Sequence, residues 1–161
     1  MAEAISITGA RASNPDLSEV FALFDDVLAS LTEAVALEED IHVAALSGEI
    51  PDGLSLRTDA VIGDARRALQ RAVAQPPGDH RTGRALLSVL HTLNLALMLE
   101  DVPAQAKALT LVSRHPALTP SEVAGPVATR LHRLRDLVDR MQALAAPGPH
   151  AAPVAVDAPG F

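Results

Sequence analysis

The sequence predicts an all-α protein, an antiparallel bundle of about five helices in which two long heptad-patterned helices, at about 15–47 and 120–146, carry the core. Three observations point there. Apolar residues recur at alternating steps of four and three over both long stretches, the period that keeps one stripe facing a neighbouring helix. Proline marks the boundaries between the periodic segments. Where apolar residues alternate as in a strand, at Leu93, Leu95, Leu97 and Leu99, the composition is Leu, Ala and Met, which prefer helix.

Residues 1–13 show no sustained period and read as a loose arm, although Ile5 and Ile7 alternate. Asn14-Pro15 then gives a helix start, with Asn as the N-cap and Pro where no amide is needed. Leu17, Phe21, Phe24, Leu28, Leu31 and Val35 form the seam of the first helix, and Gly48 with Pro51 stops it. A second helix is expected from Thr58-Asp59, with Val61, Ile62, Ala65, Leu69 and Val73 inward, ending before Pro76-Pro77-Gly78. The segment Arg84 to Glu100 is apolar around most of its circumference, as a buried central helix would be. A shorter helix runs from about Pro103 to Ser113. Thr119-Pro120-Ser121-Glu122 has the form of a capping box, and Gly125-Pro126 should kink or restart the helix it opens. Val127, Leu131, Leu134, Val138 and Met141 restore the seam, and Pro147 ends it. Residues 14–146 thus read as one helical domain, followed by a Pro, Ala and Gly tail that lacks the apolar period needed to fold.

Charge is distributed unevenly. From Ala12 to Leu56 there are ten carboxylates and no Lys or Arg, whereas residues 57–161 hold twelve Lys and Arg against nine Asp and Glu. An acidic first helix should therefore lie beside the Arg-bearing second and last helices, the latter carrying Arg130, Arg133, Arg135 and Arg140. Exposed pairs contribute under about 1 kcal/mol each, so the seams supply the stability and the charges choose the neighbours.

Composition also narrows function. There is no Cys, hence no disulfide framework, thiolate nucleophile or Cys-ligated metal, which fits a reducing cytoplasmic setting. The chain has no Trp or Tyr and only three Phe, and its net charge is −7, a poor basis for stacking on bases or neutralising phosphates. The longest uncharged apolar run, Ala85 to Leu99, is too short for a bilayer core of about 30 Å. Neither nucleic acid nor membrane is expected as a partner.

Glu39 and His42 form a Glu-x-x-His pair that shares a helix face, the half-motif of a di-iron bundle. None of the other five histidines has a carboxylate three residues before it, so the second half is missing and no cofactor is expected. If a metal is held anywhere, these two residues are the candidates. His91 stands with Arg84, Ser88, Thr92 and Asn94 on a polar stripe, to be read as a satisfied core histidine or as a buried polar pocket. His132 reads as a surface residue. No Gly-x-Ser-x-Gly elbow or Gly-rich phosphate loop occurs, and the clustered carboxylates read as a solvated coat, so no catalytic residue is assigned.

Glu38 and Glu39, then Ala45, Leu46 and Gly48, then the periodic segment Leu54 to Leu69 follow in an order that resembles the flagellar hook-associated-protein export chaperones of the FlgN type. The likeness covers about the first 75 residues. It implies a long amphipathic helix, a glycine turn, a second coiled helix and a role in binding a partner protein. Arg57 stands where that family often has Lys, and the apolar segment Leu86 to Leu99 is an addition to the pattern. The expected function is a non-enzymatic helical adaptor or export-chaperone-like protein. It would grip a helical segment of a partner through Phe21, Phe24, Leu28, Leu31, Leu131, Leu134 and Val138. The alternatives are a bundle that holds a metal or small ligand and a self-associating structural bundle.

Overall fold

The computed structural model describes residues 15–48, 51–118 and 125–146. Five helices follow in order: α1 (Leu17–Ser47), α2 (Leu54–Val73), α3 (Arg81–Leu97), α4 (Val102–Ser113) and α5 (Pro126–Ala145), with a 3₁₀ turn at Pro116–Leu118 before α5. There is no strand among the described residues. The expected bundle is what forms.

Several boundaries move, each for a local reason. The N-cap of α1 is Asp16: its carboxylate accepts the Glu19 amide at 2.8 Å, and the Asp16 amide donates to the Glu19 carboxylate at 3.1 Å. This reciprocal arrangement satisfies two amides and displaces the start expected at Asn14, which lies outside the described residues. α1 ends as expected at Gly48, whose left-handed φ of 77° lets its amide reach the carbonyls of Ala44 and Ala45. α2 starts at Leu54, four residues before the expected Thr58-Asp59. Thr58 serves as a buried residue of its first turns, its hydroxyl donating to the Leu54 carbonyl at 2.9 Å. α3 begins and ends three residues early, because Asp101 is needed to cap α4 through the Ala104 amide. It is also more one-sided than its composition suggested. Leu86, Val89, Leu90 and Leu93 are buried, whereas Leu95 is 54 % exposed. α5 begins at Pro126 after Gly125, whose φ is 89°, and the expected capping box at 119–122 lies outside the described residues. So do the arm at 1–13 and the tail at 147–161.

The helices alternate in direction. The connection after α2 returns to the start of α1, where a Cβ on Gly78 would meet the Pro15 carbonyl oxygen at 3.0 Å, and Gly83 of α3 packs beside Val20 and Leu17. α5 then runs parallel to α1, since Arg130 bonds Asp25 and Arg140 bonds Glu39. α1 is the common wall, contacting α2, α3 and α5, while α4 packs chiefly against α3 and α5. Phe24, Leu28, Leu69, Leu90, Leu93 and Leu134 are fully buried where these helices meet. Each such side chain contributes about 1.5–3 kcal/mol.

Replacing Leu134 by Ala should destabilise the fold by about 2–5 kcal/mol, because it empties a fully buried site. Leu46→Ala, at a position 77 % exposed, should stay within about 0.5 kcal/mol. Urea unfolding followed by circular dichroism measures both.

Candidate functional site

The residues expected to grip a partner are placed mainly inside the molecule. Phe24, Leu28, Leu31, Leu134 and Val138 belong to the core, and Phe21 and Leu131 are half-buried against it. The reason is that α1 and α5 are covered by one another and by α2, α3 and α4, so most of the seam packs against this chain's own helices. Phe21 is further covered by the Arg130 guanidinium, 4.3 Å from the ring centroid. That same guanidinium forks onto Asp25 at 2.9 and 2.5 Å.

The Glu-x-x-His pair is also separated in role. Glu39 accepts two hydrogen bonds from Arg140, at 2.7 and 2.6 Å, while His42 is exposed. The guanidinium holds the Glu39 carboxyl below its ordinary range, first through these hydrogen bonds and then through its charge. Among the described residues no three His, Cys, Asp or Glu side chains converge as metal ligands. His91 is exposed, as is Ser88, so the polar stripe of α3 faces solvent and is neither a core histidine nor a buried pocket. The stripe turns outward because Leu90 and Leu93 turn inward one residue away.

A contact not legible in the sequence joins Ser88 to His115, with Oγ and Nε2 3.3 Å apart. It resembles a nucleophile and its base, but the hydrogen bonds oppose that reading. The Ala117 amide donates to His115 Nδ1 at 3.2 Å, so the neutral ring carries its proton on Nε2 and donates to the Ser88 hydroxyl. An imidazole in this tautomer has no lone pair for the serine proton. Its role is to tie the turn after α4 to α3.

One concave feature among the described residues is a cleft of about 370 Å³ bounded by the second half of α1, the middle of α2, the ends of α3 and α5, and α4. Leu31 and Val35 of α1, Ile62 of α2 and Leu97 of α3 form one side. Val102 and Leu109 of α4 and Met141 and Leu144 of α5 form the other. Beside it α4 buries Leu109 and Val112 but leaves Val102 55 % exposed. Glu38 and Arg66 also line it, and neither has an ion pair among the described residues. Exposed Met98 and Leu99 precede Val102 in the chain, extending the apolar surface around the α3–α4 turn. Of the seam residues expected to bind a partner, Leu31 alone reaches this cleft. Sequence patterning missed it because every one of its apolar residues fits a helical period equally well as core.

No family model, curated protein or solved structure matches the chain. No described helix is long and apolar enough to cross a membrane.

Two pH effects follow. Glu39 has a folded pKa below its unfolded value, so its bridge contributes in full above about pH 4.5 and is lost as pH falls through the lower folded value. Burial likewise pushes the His115 ring below its ordinary 6.5. The unfolded chain then takes up that proton first, and stability present above about pH 6.5 declines as pH drops toward the folded value. Unfolding midpoints between pH 8 and 5 should therefore decrease less in His115→Gln than in the unaltered chain. Between pH 5 and 3, Glu39→Gln should flatten the curve.

Proposed function

We propose that this chain is a non-enzymatic helical adaptor that binds a helical segment of a partner protein, and that it does so at the cleft beside α4 and the end of α5. The observation that carries this is the cleft. Its walls are apolar, come from all five helices and open to solvent, and they continue into Met98 and Leu99. A helix laid on such a surface buries side chains at its own i, i+3 and i+4 positions, the mode by which amphipathic segments are held in grooves. An export-chaperone-like role is the most specific form of the reading, and its support is the ordered hairpin of α1, Gly48 and α2 on which the resemblance to FlgN-type chaperones rests. The absence of an activated nucleophile at Ser88 and the commitment of Glu39 to Arg140 favour binding over chemistry.

A second reading has its own support. A cleft of about 370 Å³ falls within the range of small-molecule sites, and Glu38 and Arg66, without an ion pair among the described residues, offer two polar anchors. A protein partner is favoured because exposed apolar side chains continue outside the cleft, where a small molecule would leave them uncovered.

Affinity capture from the native host with the full chain tests the proposal. A partner should be enriched by the unaltered protein and lost with Leu144→Glu or Met141→Glu, rim changes that place a charge in the cleft. Thermal melting should show both variants folded. Enrichment indifferent to both variants, or no enriched protein, overturns the reading.

A further inference from the structure

We infer that the cleft is covered in the free chain by the chain's own C-terminal segment, residues 147–161, which a partner helix must displace. The occupancy stands on where this segment starts and what it is made of, and its regulatory meaning rests on the adaptor reading above. Leu144 and Ala145, on the last turn of α5, line the cleft, so the segment is rooted on the wall it would cover. Ala146 has already left the helix, with φ −68° and ψ 133°, the extended conformation that a residue before proline favours. The other long stretch outside the described residues, 1–14, joins the start of α1 beside Gly78. Its root lies about 24 Å along the helix axis from Leu31, where the α1 wall of the cleft begins.

The composition of the segment suits the floor beneath it. Pro147, Pro149, Pro153 and Pro159 bar a helix and favour an extended course. At about 3.1 Å per residue the fifteen residues reach roughly 45 Å, ample to cross the cleft and the exposed Met98 and Val102 beside it. In an extended chain Val154 and Val156 share one side and Asp157 takes the other, and Phe161 adds a large apolar group further on. Asp157 is the segment's single charged side chain, whereas the cleft is lined by one Glu and one Arg, so charge neither selects this occupant nor bars it. Apolar contact and the tether decide. A segment tied to the rim meets its site at an effective concentration of about millimolar, so a few apolar side chains hold it there without high intrinsic affinity. A partner in trans has to outcompete that concentration, and weak apolar binders are thereby turned away.

Paramagnetic broadening in the full chain tests the inference. The sequence has no Cys, so Ala155→Cys carries a single nitroxide label at a defined place on the isotope-labelled protein. The label should broaden the amide resonances of Leu31, Ile62, Leu97 and Val102, all in the cleft wall, severalfold more than those of Val43 and Leu46. The latter two are exposed on the last turns of α1, close to the end of α5 that the Arg140–Glu39 bridge holds there. Val154→Asp with Val156→Asp in the labelled chain should abolish the difference, and so should Leu144→Glu, with thermal melting confirming that each variant is folded. Broadening graded only by distance from Ala146 and indifferent to the two Asp substitutions belongs to a solvated tail and overturns the inference. Broadening of the cleft resonances in a mixture of spin-labelled chain without isotope and isotope-labelled chain without spin label also overturns it, because the occupant is then a second copy. The label reads occupancy with no partner present, which separates the two readings. Cleft broadening with no cleft-dependent capture, by either the unaltered or the Asp-substituted chain, ends the adaptor reading and leaves the tail in place. Capture without cleft broadening ends the inference alone. Where both hold, the Asp substitutions should raise capture severalfold, and capture unchanged by them overturns the regulatory role.

Discussion

α1 buries eight side chains from Val20 to Leu37, on a sector too wide for one neighbouring helix to cover. The remainder of the fold answers to that width. α2 returns along one flank, α3 rises beside it where Gly83 permits close packing on Val20, and α5 covers the other flank. Each of these helices is amphipathic, so each is stable only while the others are present, and the unfolding of one exposes the others' apolar faces. α1 is also the element with the best-defined ends, a reciprocal acidic cap at Asp16 and a left-handed glycine at Gly48. A helix fixed at both ends and buried along one side is a ruler against which the register of the others is set.

Ion pairs refine that register. Arg130 and Arg140 lie ten residues apart on α5 and each grips a carboxylate of α1 in a planar fork. Two forks on one pair of helices fix both sliding and rotation, which apolar seams of Leu and Val tolerate poorly but do not forbid. On the α2 flank, Arg57 with Glu33 and Arg71 with Asp26 are longer, at 3.7 and 3.9 Å, and mostly exposed, so they contribute little. Orientation on that flank is already dictated by the short connection between the helices.

The helices were legible because burial imposes period, and Leu17 to Val35 or Val127 to Met141 leave no other reading. So was the pairing of an acidic first helix with arginine-bearing neighbours, now seen as four specific bridges. Boundaries were less legible where two caps compete: Asn14 and Asp16 both suit an N-cap, and only reciprocal bonding with Glu19 distinguishes them. The site was illegible for a different reason. Leu97, Met141 and Leu144 obey the same period as core residues, and what sets them apart is how neighbouring helices pack around them, which no local pattern encodes. His91 misled for a related cause: an imidazole among leucines suggests burial, but one residue of helix rotation turns it to solvent while Leu90 and Leu93 stay within.

α4 has the thinnest attachment of the five helices. It buries only Leu109 and Val112, leaves Leu111 66 % exposed and leans chiefly on α3 and α5. Yet it shares one side of the cleft with α5. Part of the cavity wall therefore belongs to the helix with the fewest buried side chains, the kind of element that opens locally at low cost. It faces a deeply buried wall on the α1 side, where Leu31, Ala34 and Val35 belong to the core.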